Sequence, residues 1–210
     1  MMARRFACVV WLGAGAATLL GATPARAAES DVPRLHAILP GSDGVYERFD
    51  GSLALAGSVG CELEDGQARG ALRLSAHYLW TAGIYARYAD AFGSDQRMAR
   101  AASFGIDLRP LFLPRFGLDL EQGPALLDLT LDSLSLTAGA YFAQPRPGDF
   151  GDQRGFETGL GLGVPFGLAN GLWLEGRAER RFADRGDDAW LFTLALALHA
   201  VTWSTDAHRQ

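Results

Sequence analysis

At 210 residues the chain reaches the upper edge of one ordinary domain. Hydrophobic residues make up 49%, aromatics 10% and charged residues 20%, a balance that excludes a mainly disordered chain, and the 26 glycines follow no G-X-Y period, which excludes collagen. The net charge of −5, with all 19 basic residues arginine, argues against a protein that binds nucleic acid by bulk electrostatics.

The first segment reads as an export signal. Arg4 and Arg5 precede an apolar run, Phe6 to Leu20, and Ala25-Arg26-Ala27 is the small-x-small pattern that a signal peptidase accepts. The run is short for a membrane helix, which needs roughly 20 apolar residues. Cleavage after Ala27 would remove Arg4, Arg5 and Arg26, leaving 16 basic residues against 24 acidic ones and a net charge of −8. It would also remove Cys8, so Cys61 could find no partner for an internal disulfide. No later stretch is long and apolar enough for a spanning helix. Residues 28–50, with Pro33, Pro40, Gly41 and Gly44, read as an irregular extension.

From Gly51 the hydrophobic period becomes two, the strand period. Leu53, Leu55, Val59, Cys61 and Leu63 alternate with Ala54, Ala56, Ser58, Gly60 and Glu62, up to a turn signal at Glu64-Asp65-Gly66-Gln67. Leu72, Leu74, Ala76, Tyr78 and Trp80 then alternate with Arg73, Ser75 and His77, and Ile84, Ala86 and Tyr88 with Tyr85 and Arg87. Parity does not change between Leu72 and Tyr88, so this stretch fits one long strand or two strands joined at Thr81–Gly83. After a loop at Asp90–Arg97, Phe104, Ile106 and Leu108 alternate with Ser103, Gly105, Asp107 and Arg109.

Pro110 and Pro114 stop that strand. Pro124 suits the first turn of a short helix over 124–131, yet Leu127, Leu129 and Leu131 also alternate, so helix and strand fit about equally. Alternation resumes with Leu134, Leu136, Ala138, Ala140 and Phe142, then, beyond a loop at Gln144–Arg154, with Phe156, Leu160, Leu162 and Val164. Asn170-Gly171 predicts a hairpin in which both residues take a positive φ. Leu172, Leu174 and Ala178 against Glu175, Arg177 and Glu179, and Phe192, Leu194, Leu196 and Leu198 against Thr193, Ala195, Ala197 and His199, complete about eight strands between residues 51 and 203.

Alternating strands with short turns predict an all-β fold, an antiparallel up-and-down barrel. The non-apolar face decides which way the barrel is turned. It carries mostly Ala, Ser and Gly, which suit the crowded interior of a narrow barrel better than a solvated surface. Its charges nearly balance: Glu62, Asp107, Glu157, Glu175 and Glu179 against Arg73, Arg87, Arg109 and Arg177, a candidate lumen network. Tyr78, Trp80, Tyr88, Phe112, Phe142, Trp173, Trp190 and Trp203 lie toward strand ends and read as interface girdles. The apolar face then meets lipid.

Over Gly51–Trp203 this pattern resembles the small eight-stranded outer-membrane β-barrels of Gram-negative bacteria. The resemblance implies outer-membrane localisation, periplasmic termini, four outer loops and short inner turns, here Thr81–Gly83 and Gly167–Gly171. Two features depart from it. The Pro110–Asp132 connection is long for an inner turn, and Trp203 is followed by a tail, residues 204–210, where such barrels end on an aromatic.

Enzymatic chemistry is weakly supported. Some outer-membrane barrels that this chain resembles modify lipid A with a Ser near a His; here His77 shares a face with Ser75, and His199 precedes Thr202 and Ser204, with no recognised signature. Those pairs, His36 and His208 give neither catalytic nor metal-ligand spacing. Gly159-x-Gly161-x-Gly163 lacks the following helix of a phosphate loop. The loop acids Asp90, Asp95, Asp149, Asp152, Asp184, Asp187 and Asp188 read as solvated. The leading expectation is therefore a monomeric, non-enzymatic envelope or adhesive barrel without a wide pore, whose partner is lipid and which needs no cofactor and no metal. A secreted soluble barrel binding an apolar ligand, and a lipid-modifying enzyme, are the competing readings.

Overall fold

The computed structural model describes residues 53–93, 96–118, 120, 125–167 and 169–202. The expected signal peptide, N-terminal extension and C-terminal tail, and Trp203 with them, lie outside the described residues. Ten elements follow in order: β1 (Leu53–Glu64), β2 (Gln67–Tyr78), β3 (Ala82–Ala91), β4 (Met98–Leu108), α1 (Phe112–Gly117), α2 (Ala125–Asp132), β5 (Ser135–Pro145), β6 (Gln153–Pro165), β7 (Gly171–Ala183) and β8 (Ala189–Thr202). Each strand pairs antiparallel with the next, and β8 pairs back onto β1 from Leu53↔Thr202 to Glu64↔Leu191, closing an eight-stranded barrel. Closure leaves no unpaired strand edge.

The uninterrupted parity from Leu72 to Tyr88 hides a tight turn between β2 and β3. Leu79 and Trp80 both take positive φ, 48° and 54°, and the Thr81 amide donates to Tyr78 O at 3.1 Å. This is the hairpin geometry that normally recruits Asn or Gly. Asp65-Gly66 forms the same geometry, with φ of 49° and 77°, from residues suited to it. The Asn170-Gly171 expectation needs correction. The turn spans residues 166–170, the Phe166 amide donates to Leu172 O at 2.9 Å, and of the two residues only Gly171 has a positive φ. A longer loop relaxes the two-residue requirement.

The two ends of the barrel differ. At one end lie the connections Asp65–Gly66, 92–97, 146–152 and 184–188, all short. At the other lie β1's start, β8's finish, two short turns and the 109–134 connection. Of the two helices in that connection α2 spans Ala125–Asp132, so the helical alternative holds there. Its end is pinned to the wall: Ser133 Oγ donates to Gly163 O at 2.8 Å and accepts from the Gly163 amide at 2.7 Å. No helix among the described residues is long and apolar enough to cross a membrane.

Candidate functional site: the barrel wall and its filled lumen

Side chains alternate across the wall in the inverted sense. Outward positions carry Leu, Ile, Val and Phe in the open, among them Leu74, Ile84, Phe104, Leu160 and Leu194, the last 60% exposed. Read along all eight strands, the outward positions hold no charge between the terminal end and a sparse set of Asp90, Arg100, Arg154 and Arg180 near the hairpin end. Exposed aromatics gather beside that set: Tyr88, Phe92, Phe156, Phe182, Trp190 and Phe192. The Arg180 guanidinium lies over the rings of Phe182 and Trp190, at 5.4 and 5.7 Å. Tyr78 and Phe166 are exposed at the terminal end.

The interior is charged. Six arginines (Arg69, Arg73, Arg87, Arg109, Arg177, Arg181) and six carboxylates (Glu62, Glu64, Asp107, Glu157, Glu175, Glu179) are enclosed, so their formal charges cancel. Toward the hairpin end, Arg69 pairs with Glu62 at 2.5 Å and with Glu64, while Arg181 reaches Glu64 at 3.3 Å. At mid-barrel, Arg87 pairs with Glu157 at 2.6 Å and with Glu179. Glu157 also accepts from Tyr85 Oη at 2.9 Å and Arg181 Nε at 3.2 Å. Nearer the terminal end, Asp107 accepts from Arg73 at 2.8 Å and Arg177 at 3.3 Å, and His77 Nε2 stands 3.6 Å from its other oxygen. His199 Nε2 lies 2.9 Å from Glu175 Oε1. Each carboxylate touches a cation, the condition under which burying the charge is tolerable.

Of the nine charges that alternation placed inside, eight stand in this network. The ninth, Arg109, is buried but stacks its guanidinium over Trp80 at 4.4 Å and forms no ion pair among the described residues. Alternation missed Glu64, Arg69 and Arg181. They lie where β1, β2 and β7 run on past the sequence's clear apolar alternation, and only extending the period of two would have found them.

Three of the expected girdle aromatics need correction. Trp80, Phe112 and Trp173 are buried, Trp173 completely, and close the terminal end of the lumen with Leu129. Trp80 leaves the outward row because the tight turn swings it across the mouth. Phe112 belongs to α1 and points into the barrel end. Trp173 sits in the inward row of β7, between Gly171 and Glu175, and its Nε1 donates to Ala169 O at 3.0 Å. His199 packs against both indoles, 4.7 Å from Trp173 and 5.5 Å from Trp80, the two indoles standing 5.9 Å from each other. Tyr78, Tyr88 and Trp190 are exposed as a girdle requires, and Phe142, half-buried, stacks on Phe104 at 6.1 Å.

The Gly159-x-Gly161-x-Gly163 run makes room for large neighbours on β7. Gly159 faces Glu179, Gly161 faces Arg177 and Gly163 faces Glu175. A Cβ on Gly161 would stand 2.6 Å from Ser135 Oγ and 2.9 Å from Arg177 Nη1, and one on Gly163 would meet the Trp173 ring at 3.0 Å. A void of about 10 Å³ lies inside beside Arg73, Arg177 and Thr193, at the limit of what one water occupies. A wider depression of about 400 Å³ opens at the hairpin end, among Arg69, Arg97, Arg146 and Asp187. Among the described residues no three His, Cys, Asp or Glu side chains are grouped to hold a metal ion.

No family model and no curated protein matches the chain. Among solved structures it is similar to Ail, the attachment invasion locus protein of Yersinia pestis, at 13% identity over 71% of this chain and 97% of Ail, with a TM-score of 0.35. It is also similar to neisserial surface protein A, NspA, at 10% identity over 71% of this chain and 96% of NspA, with a TM-score of 0.41. The strand number and closure described above stand on the strand register, independent of these likenesses.

Both histidines weighed for catalysis face the lumen. His77 Nε2 lies 3.6 Å from Asp107 and His199 Nε2 2.9 Å from Glu175, so each imidazole faces a carboxylate of the network.

Proposed function

We propose that the chain is an integral outer-membrane protein whose closed, charge-filled barrel serves the envelope as a structural, non-enzymatic element with no wide pore. The observation that carries this reading is the inversion of the wall: an outward belt free of charge over most of its height around a lumen of balanced ion pairs. Water would make that belt an aggregation surface, since soluble monomers rarely expose apolar patches beyond a few hundred Å². Hydrocarbon makes it an ordinary lipid contact.

Among the described residues the hairpin end offers a partner four short connections outside the rim, which supports a structural role over an adhesive one. The lumen network and the indole plug support the reading without a wide pore, since wide aqueous channels need about 16 strands. The barrel acts as a monomer, because closure removes the edges through which strands of two copies would pair. A secreted, ligand-carrying barrel would need its apolar face turned inward around a cavity.

Two measurements test this. After cell lysis the protein should partition with outer membranes and need detergent for release; recovery in a soluble fraction would overturn the membrane assignment. In planar bilayers the purified protein should leave the current at the protein-free level, and stepwise openings of general-porin size would contradict the filled lumen.

A further inference from the structure

The 109–134 connection repeats the barrel's inversion on a smaller scale. Its described charges are turned inward. Arg115 bridges the two helices, its Nε donating to Asp132 Oδ1 at 2.8 Å and its Nη2 to Asp128, with both carboxylates buried and Arg115 only 17% exposed. Arg109 is buried over Trp80. The surroundings meet leucine and phenylalanine instead: Leu113, Phe116 and Leu118 in and after α1, and Leu126, Leu127 and Leu131 in α2. On α2 the buried residues Asp128, Leu129 and Asp132 occupy one side and Leu126, Leu127 and Leu131 the other. A short helix bathed in water would place them the other way round, carboxylates out and leucines in.

We propose that α1 and α2 insert into the lipid leaflet at the terminal end of the barrel, their apolar face against acyl chains, so that the plug is held from below by membrane as well as by the wall. This rests on the membrane reading above. Continuity with the lipid-facing belt favours acyl chains over a protein partner. The connection leaves β4 at Leu108 and rejoins the wall at Leu136, both exposed, and α2 packs on β6, where Val164 near its terminal end and Phe166 just beyond it are exposed. The described face of the connection also offers a partner no unpaired charge to recognise, while burial of the Arg115–Asp128–Asp132 cluster removes the charges that hydrocarbon would reject. Asp119 and Glu121, between the helices, lie outside the described residues.

The test places a bimane fluorophore on single cysteines at 126, 127 or 194, with Cys8 and Cys61 replaced by alanine, in phosphatidylcholine vesicles with and without brominated acyl chains. Leu194 on the barrel wall is the reference. Brominated lipid should quench the label at 126 and 127 as strongly as at 194, within about twofold, while aqueous iodide quenches none of them. Quenching by brominated lipid at 194 together with iodide quenching at 126 and 127 would put the helices in water and overturn the inference, leaving the membrane reading intact. Lipid quenching at 194 with neither agent reaching 126 and 127 would assign that face to protein, a second copy included, and also overturn it. Iodide quenching at 194 would remove the membrane reading and this inference together.

Discussion

Leu79 and Trp80 occupy a backbone region that costs a non-glycine residue about 1–2 kcal/mol. What the turn achieves is visible one bond further on: Trp80 lies across the lumen mouth, almost fully buried, against Trp173, His199 and the Arg109 guanidinium. Leu79 itself is 43% exposed and lies outside the buried cluster that Trp80 joins. Leu79→Asn should therefore raise stability by about 1 kcal/mol, because Asn tolerates left-handed φ at lower cost. Urea titration of the vesicle-folded protein checks it; no change, or a loss, would mean that the turn is not strained. Glu157 is a residue of the opposite kind, accepting from Arg87, Arg181 and Tyr85 at once. Glu157→Gln keeps the volume but leaves buried guanidinium groups short of a counter-charge, and the same titration should show a loss of about 3–5 kcal/mol. These two sites differ in legibility. Glu157 is inward by simple alternation with Phe156, whereas Leu-Trp carries none of the chemistry that announces a tight turn, so parity alone joins β2 to β3.

Among the elements, strands were the readable part. The strands stand where the period of two places them, apart from the β2–β3 boundary that it leaves open, because one face meets lipid and the other a crowded lumen, and a one-residue slip would exchange every side chain between them. Residues 125–131 were ambiguous since leucines at 127, 129 and 131 satisfy either period. The helix prevails because it seats Leu129 on the indoles while turning Asp128 and Asp132 toward Arg115. That ion pair is a tertiary fact, and no spacing in the sequence links residue 115 to 128. Arg115→Leu should leave both carboxylates buried without their cation and destabilise the docked helices by about 3 kcal/mol. Hydrogen exchange should then quicken at the amides of 112–117 and 125–133 while the strands stay protected. Unchanged protection there would mean that the ion pair does not hold the connection.

For the whole molecule, the governing fact is the pairing of a neutral, filled lumen with a wall that is apolar outside. Small residues on β6 opposite Glu179, Arg177 and Glu175 on β7 let the side chains interleave in a barrel of only eight strands. The sequence carried this as a face of Gly, Ala and Ser with matched charges. It could not show that strand-end tryptophans turn inward as a plug, since Trp80 and Trp173 lie as near strand ends as Trp190 does. The most direct test of the inverted wall is a nitroxide scan along β8 from 192 to 199 in phosphatidylcholine vesicles, read for collision with lipid-soluble oxygen and with a water-soluble nickel chelate. The structure exposes Phe192, Leu194 and Leu198 and buries Ala195, Ala197 and His199. Oxygen access should therefore peak at 192, 194, 196 and 198 and fall at 193, 195, 197 and 199, with a period of two and little nickel access at the even positions. Nickel access peaking at the even positions would contradict the account, because the apolar face would then lie in water.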